Sequence, residues 1–228
     1  MGNRFVSAII LAAGTGSRMG AEVTKQRISV LGKSVLKRSV EAFENCDLIS
    51  EIIVVTRADE IDFAKAETEA CVKVKSIVCG GRTRAESAYC GYCNVSEHSD
   101  FIAVHDAARC LVTADDIIRV VNDAFLYGAA TASYKATDTI KEVDEDNFVA
   151  KTCNRSKLVH ILTPQVFAKD IYDRAVNHAD LLDPNLTDDN MLVENTGFRP
   201  YCTQTRRDNV KITYKDDIAY AEFILNGR

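Results

Sequence analysis

The sequence lacks the features that place a chain in a membrane or outside the cell. Its 228 residues contain no apolar run near the ~20 residues that a transmembrane helix needs. The first residues do not follow the charged, apolar and small-residue order of a signal peptide. We therefore expect a cytoplasmic protein with no membrane partner.

Linkers and repeats are absent too. The chain has only three prolines, no stretch rich in Pro, Gly or Ser, and no internal repeat. Its apolar content of 46% is enough for a sizeable core. We therefore predict a single domain over residues 1–228.

The chain has no excess of positive charge. Its net charge of −5 argues against a nucleic-acid partner. Residues 11–40 are an exception, with six basic residues, one acidic residue and a local charge of +5. This cluster favours a compact anionic ligand, and a solvated basic surface is the alternative.

Disulfides are not expected despite eight cysteines, because a cytosolic chain of this size usually keeps its thiols free and mostly buried. Cys90 and Cys93 form a C-x-x-C pattern, but they fall late in a predicted helix rather than at its start. A zinc site would need a second such pair, which the sequence does not offer. Redox chemistry at this pair stays an alternative.

What the sequence does have is a regular alternation of apolar, β-branched runs with helical periodicity. The predicted strands are Phe5–Leu11, Glu51–Thr56, Val72–Val78 and Phe101–His105. The predicted helices are Val35–Glu44, Asp59–Ala70, Arg82–Tyr92 and Ala114–Tyr127, the last capped by Thr113. This order predicts an α/β fold with a mostly parallel, twisted sheet and helices on both faces.

The pattern changes after residue 129. Residues 139–143 and 148–152 alternate with period two around a polar turn at 144–147. We predict a protruding β-arm at about 136–160 that packs against another subunit. A last helix is predicted over Lys215–Leu225, with Ile218, Tyr220 and Ile224 on its apolar side.

Three polar segments follow predicted strands. Leu11–Gly20 reads LAAGTGSRMG, and its spacing fits neither the P-loop nor the dinucleotide fingerprint. Its small residues still allow backbone N–H groups to approach a nucleotide closely. Cys79–Arg82 and His105–Arg109 end two other strands, so all three segments should meet at one edge of the sheet.

These segments resemble a known family. L-A-A-G-x-G-x-R-M followed by Lys25-Gln26 is similar to nucleotidyltransferases that join sugar or polyol phosphates to a nucleoside. Gly80-Gly81-x-x-Arg84-x-x-Ser87 and the His105–Arg109 segment resemble the 2-C-methyl-D-erythritol 4-phosphate cytidylyltransferases. Further matches follow in the family's order at 138–141, Arg155, 163–165, 187–189 and 209–213.

The resemblance implies a Rossmann-like nucleotidyltransferase fold and a reaction. CTP and 2-C-methyl-D-erythritol 4-phosphate would give a CDP-polyol and pyrophosphate, in non-mevalonate isoprenoid synthesis. Arg18, Lys25 and Lys211 would be the catalytic cations, and Asp106 would hold Mg²⁺. Residues implied to bind the nucleotide are Ala12, Ala13, Gly14, Thr15, Gly16, Gly80, Gly81, Ser87 and Ala107.

The polyol phosphate would be bound by Arg109, Thr139, Arg155 and Thr187. In the family the arm residues reach the neighbouring subunit's site, which implies a homodimer with shared active sites. His105 is expected to be packed and hydrogen-bonded, because an ionised phosphate nucleophile needs no general base.

Simpler roles remain open for several of these residues. Asp106 could cap a helix or turn, and the glycine pair could form an ordinary turn. Arg155 could be a solvated surface arginine.

Departures from the family pattern affect the identity of the polyol substrate rather than that of the nucleotide. Cys110 and Val159 stand where the family usually has Pro and Trp, and residues 201–205 are atypical. Ribitol-5-phosphate cytidylyltransferases are the nearest alternative, but they tend to carry Ser-Val in place of Ala107-Ala108. A non-catalytic paralogue is disfavoured because all the expected charged residues are present.

Overall fold

The structure, a computed structural model, describes residues 4–14 and 24–228. Its strands are β1 (Val6–Leu11), β2 (Ser29–Val30), β3 (Lys33–Ser34), β4 (Glu51–Thr56), β5 (Val74–Cys79), β6 (Phe101–Asp106), β7 (Ala129–Lys135), β8 (Lys141–Val143), β9 (Val149–Thr152), β10 (Val159–Ala168) and β11 (Tyr201–Gln204). Its α-helices are α1 (Val35–Glu44), α2 (Ile61–Thr68), α3 (Arg84–Tyr92), α4 (Ala114–Tyr127), α5 (Lys169–His178), α6 (Asp189–Glu194) and α7 (Asp216–Asn226).

Seven strands form one sheet in the order β11-β7-β10-β6-β1-β4-β5. β1 lies near its centre and pairs in parallel with β4 and β6. β10 runs antiparallel to both of its neighbours, while β11 pairs in parallel with β7. The prediction of a mostly parallel sheet is confirmed.

Helices cover both faces of this sheet because the buried strands are apolar on both sides. Ile10 of β1 belongs to the core that packs against α1, α2 and α4. Ile9, its neighbour along the strand, belongs to the core that packs against α3, α5 and α6. A third, smaller core lies under α7 and contains Leu111 and Ile212.

Helix starts are set by hydroxyl caps. Thr113 Oγ1 accepts from the backbone N–H of Asp116, which confirms it as the cap of α4. Thr83 caps α3 in the same way, so this helix begins at Arg84 and not at the predicted Arg82. The start of the second predicted helix is a 3-10 turn over Ala58–Glu60.

The predicted β-arm is confirmed as a hairpin. Among the described strands, β8 and β9 pair only with each other, and all their residues are exposed. Asp144 Oδ1 accepts from the N–H groups of Asp146 and Phe148, and Asn147 has a φ of 67°. Phe148 at 72% exposure and Val149 at 60% leave apolar surface uncovered within one chain.

Two expectations about burial are wrong. All eight cysteines are free, as predicted, but only Cys46 and Cys110 are buried. Tyr220 is 40% exposed, whereas Ala221 is fully buried. The reason is that the buried stripe of α7 runs through Ile218, Ala221 and Leu225, which leaves Tyr220 beside it.

Within the described ranges, no helix is both long enough and apolar enough to cross a membrane.

Candidate active site

A cavity of about 400 Å³ lies at the carboxyl ends of β1, β5 and β6. It is lined by Leu11, Ala13, Gly14, Lys25, Gln26, Gly81, Arg82, Thr83, Arg84, Ser87, Asp106, Ala108 and Lys211. The described part of the first polar segment, residues 11–14, therefore meets the other two segments at one edge of the sheet, as predicted.

Among the residues that the structure describes, four cations from three separate segments line this cavity. They are Lys25, Arg82, Arg84 and Lys211. Lys25 lies in a 3-10 turn over Lys25–Arg27 and is 7% exposed. Its Nζ donates to the carbonyl of Ile212 at 3.2 Å, which places it next to the segment that carries Lys211.

The described part of the basic stretch at residues 11–40 contributes less to the cavity than expected. Among its described members, Arg27 pairs with Glu60, Lys33 pairs with Glu41, and Arg38 donates to the carbonyl of Val30. Lys25 is the member of the stretch that lines the cavity within the part of the chain that the structure describes. The other described cations of the cavity come instead from the start of α3, from the turn before it and from the segment before α7.

Asp106, the last residue of β6, is the carboxylate among these cations. Its Oδ1 accepts from Arg84 Nε at 3.1 Å, and its Oδ2 accepts from Lys211 Nζ at 2.7 Å. Burial alone would raise the pKa of Asp106, but the charges of Arg84 and Lys211 hold it well below its ordinary value. Asp106 is therefore ionised at neutral pH.

A second, deeper carboxylate continues this network. Asp189, at the start of α6, accepts from Arg84 at 2.6 Å through Oδ2 and from the Tyr172 hydroxyl at 2.8 Å through Oδ1. Its side chain has no exposed surface. Burial would lower the pKa of Arg84, but Asp106 and Asp189 raise it, so the guanidinium stays charged.

Sequence reasoning did not assign roles to Arg84 and Asp189. Both were quoted within matching segments, Gly80–Ser87 and 187–189, but nothing in the sequence joined them. The signal that could have found them is chemical, because an arginine and an aspartate in two site segments are natural partners. Their separation of 105 residues hides the pairing from any local pattern.

The glycine pair after β5 is closely packed. A Cβ on Gly80 would lie 2.6 Å from the Ala13 Cβ and 2.8 Å from Ser87 Oγ. Ser87 Oγ accepts from the N–H of Gly81 at 3.1 Å and donates to the Thr83 carbonyl at 2.8 Å. Gly80 thus lets the segments after β1 and β5 approach, while Gly81 and Ser87 line the cavity.

The other predicted nucleotide residues are placed as follows. Ala13 and Gly14 line the cavity. Ala12 and Ala107 are buried behind it, and Ala108 lines it in place of Ala107. Thr15, Gly16 and Arg18 lie outside the described residues.

His105 is fully buried, as expected, and its Nδ1 lies 2.9 Å from the Thr163 hydroxyl. Burial lowers its pKa to about 3. A neutral, enclosed imidazole fits a packing role.

The residues predicted to bind the second substrate do not line this cavity within one chain. Arg109 is half-buried and donates to the carbonyl of Asn209 at 3.1 Å. Arg155 is exposed at the base of the arm and donates to the Thr137 carbonyl at 2.8 Å. Thr139 and Thr187 are exposed, and Thr187 Oγ1 donates to the sulfur of Met191 at 3.3 Å.

Asp106 fits a cation whose other ligands come from phosphate. Among the residues that the structure describes, no three His, Cys, Asp or Glu side chains form a metal cluster. Mg²⁺ often uses one or two carboxylates with substrate phosphates and water. Asp106 is ionised and lines the cavity, and each of its oxygens keeps a lone pair beyond the hydrogen bonds it accepts.

Comparison with known proteins adds to this geometry. A sequence profile described as IspD, 2-C-methyl-D-erythritol 4-phosphate cytidylyltransferase, matches residues 6–227. The chain belongs to this family. A relative of that name from Caldanaerobacter subterraneus is 40% identical, over 96% of this chain and 98% of the relative. Another from Clostridium botulinum is 36% identical, over 97% and 99%.

The fold agrees with solved structures of the family. The structure of 4-diphosphocytidyl-2C-methyl-D-erythritol synthase from Anaerococcus prevotii superposes with a TM-score of 0.88. It is 29% identical, and the match covers 98% of this chain and 99% of that one. The predictions of the family, of the nucleotidyltransferase fold and of a cytidylyltransferase enzyme are confirmed.

Proposed function

We propose that this chain transfers the cytidylyl group of CTP to 2-C-methyl-D-erythritol 4-phosphate within the cavity described above. The observation that carries the proposal is the meeting of Lys25, Lys211 and Asp106 at the strand ends beside Gly81 and Ser87. This arrangement places cations for phosphate next to a segment suited to recognising a base.

The reaction joins two anions. A phosphate oxygen of the polyol phosphate attacks the α-phosphorus of CTP, a new P–O bond forms, and the bond to the β-phosphate breaks to release pyrophosphate. The nucleophile is already ionised, so the protein has no proton to remove. Its contribution is to orient the substrates and to offset the charge that builds up on the phosphorus oxygens.

Lys25 and Lys211 supply that positive charge. Lys25 is nearly buried, and a cation is worth more where water is excluded. Lys211 is held by Asp106 without substrate, so its move to the α-phosphate exchanges one anionic partner for another. Arg18, outside the described residues, remains the proposed cation for the triphosphate tail.

Mg²⁺ would be held by Asp106 together with the phosphates of CTP, where it would neutralise the departing pyrophosphate. Arg84 keeps Asp106 turned towards the cavity through the Oδ1 contact.

The polyol phosphate would be held by Arg109, Thr187 and residues of a partner's arm. Thr139 and Arg155 are exposed on the arm and lie away from the cavity of their own chain. The uncovered Phe148 and Val149 on the same arm support a homodimer. Free, partly exposed cysteines support a reducing, cytoplasmic location.

The relatives' names favour methylerythritol phosphate over ribitol phosphate as the acceptor, because those compared carry the former. Ala107-Ala108 supports the same choice.

Pyrophosphate release tests the proposal. Release should require CTP, Mg²⁺ and methylerythritol phosphate together, and it should fall sharply when UTP or ATP replaces CTP. Addition of EDTA should stop it, and excess Mg²⁺ should restore it. Equal release with UTP would contradict the assigned base recognition, and release that survives EDTA would contradict the metal.

A further inference from the structure

Asp189 lies outside the cavity and has a buried carboxylate that the reaction does not use. It does not line the cavity, and its side chain has no exposed surface. A buried carboxylate is costly unless it is paired. Both of its oxygens are paired, one with Arg84 and the other with Tyr172.

The pairing with Arg84 connects Asp189 to the reacting groups. Arg84 uses one terminal nitrogen for Asp189 and its Nε for Asp106, while Asp106 holds Lys211 through its other oxygen. Negative and positive groups alternate along this row, from Asp189 to Lys211. Each inner group therefore has an opposite charge on both sides.

Asp189 itself is fixed from several directions. Its backbone N–H donates to Gln165 Oε1 at 2.9 Å, and Gln165 Nε2 donates to Asp188 at 2.7 Å. Tyr172 is fully buried, and burial together with Asp189 raises its pKa well above the ordinary value, so it stays a donor. The carboxylate of Asp189 is thus a rigid anchor on α6.

We propose that Asp189 is a positioning residue that holds Arg84 in the orientation that presents Asp106 and Lys211 to the nucleotide. The proposal rests on the proposed function. Arg84 has a long side chain that lines the cavity, and without an anchor it could turn towards the phosphates or draw Asp106 away from Lys211. The planar guanidinium can bridge two carboxylates, which a lysine ammonium cannot match in direction.

The first test is the Asp189→Asn variant, which keeps the volume and removes the charge. Misplaced catalytic groups should lower kcat on the order of tenfold to a hundredfold, with little change in KM for CTP. Asp170→Asn is the matched control, because Asp170 is an exposed acid of α5 with 78% of its side chain accessible. Thermal unfolding of each variant distinguishes an effect on folding from an effect on the alignment of the catalytic groups.

A double-mutant cycle then tests whether Asp189 acts through Arg84. Arg84→Lys should lower kcat by a similar factor. The double variant Arg84→Lys/Asp189→Asn should have a kcat no lower than that of the less active single variant. If the fold-loss of kcat in the double variant equals the product of the two single fold-losses, the proposal is overturned. Normal kcat in a folded Asp189→Asn protein would also overturn it.

The last measurement does not depend on activity. The Nε–H proton of Arg84 donates to Asp106, so its NMR signal should exchange slowly with water in the natural chain. We expect fast exchange in Asp189→Asn and slow exchange in Asp170→Asn, with the signal assigned by its loss in Arg84→Lys. Slow exchange in Asp189→Asn would contradict the proposal. If the natural chain makes no CDP-polyol, the proposed function fails, while this measurement still decides whether Asp189 orders Arg84.

Discussion

Lys211 has two anionic partners in this account, Asp106 before the nucleotide binds and the α-phosphate in the reaction. The resting contact of 2.7 Å keeps the ammonium inside the cavity at little energetic cost, because the lysine is paired in both states. Only the contact with the transition state accelerates the reaction.

Replacing Lys211 by Ala should therefore act mainly on kcat. Loss of one preorganised electrostatic donor lowers kcat on the order of a hundredfold or more. Steady-state kinetics with CTP and methylerythritol phosphate measure this, and Lys65→Ala serves as control because Lys65 is exposed on α2. A Lys211→Ala enzyme with near-normal kcat would remove this lysine from the mechanism.

Gly80 is a second residue with a definite expectation. Gly80→Ala would force a methyl group against Ala13 and Ser87, so we expect a loss of about 1–3 kcal/mol in the free energy of unfolding. KM for CTP should also rise, because both neighbours line the cavity. Denaturant unfolding and kinetics check this against Gly227→Ala, where the nearest atoms are 3.7 Å away. Equal stability of the two variants would contradict the close packing.

At the scale of elements, the sequence predicted most of the sheet and helices. The run Ile52–Val55 within β4 is apolar throughout, and burial on both faces favours a strand there. The ends of elements were less predictable. Thr83 was not predicted as the cap of α3. Whether a threonine hydroxyl accepts from a helix N–H or is solvated depends on the local backbone geometry.

Part of the site was also predictable from the sequence. Segments that follow strands must meet at one edge, which placed Gly81, Asp106 and Lys25 in one cavity. The link between Arg84 and Asp189 joins α3 to α6 across the fold, and only the packed structure brings them together. The use of Arg27 and Lys33 in ion pairs outside the cavity is also a tertiary property.

The cap of α4 offers a test at this scale. Thr113→Ala removes the hydroxyl that accepts from Asp116, and we expect a loss of about 1 kcal/mol in the free energy of unfolding. Thr113→Ser should retain most of the stability because it keeps the hydroxyl. Urea unfolding of the two variants distinguishes them, and equal stability would show that this cap contributes nothing.

The whole molecule combines a net charge of −5 with a cavity that four cations of the described ranges line. Its two substrates are both anionic, so the positive charge is concentrated where they must meet. Added salt screens the attraction between exposed cations and the anionic substrates. The nearly buried Lys25 is screened less.

A variant in the arm tests the proposed homodimer. Arg155→Ala should raise KM for methylerythritol phosphate more than KM for CTP, because the arginine would serve the polyol phosphate of the partner's site. Arg174→Ala is the control, an exposed arginine on α5. Sedimentation of the natural chain should show a dimer. A larger effect on CTP, or full activity in a monomer, would contradict the shared site.

The most direct test of the central claim is a competition between acceptors. The enzyme would receive CTP and Mg²⁺ with equal concentrations of methylerythritol phosphate and ribitol phosphate, and mass spectrometry would measure the two CDP-polyols. Our account predicts that CDP-methylerythritol dominates. An excess of CDP-ribitol would keep the mechanism but contradict the assigned substrate, and the absence of both products would contradict cytidylyl transfer to either acceptor.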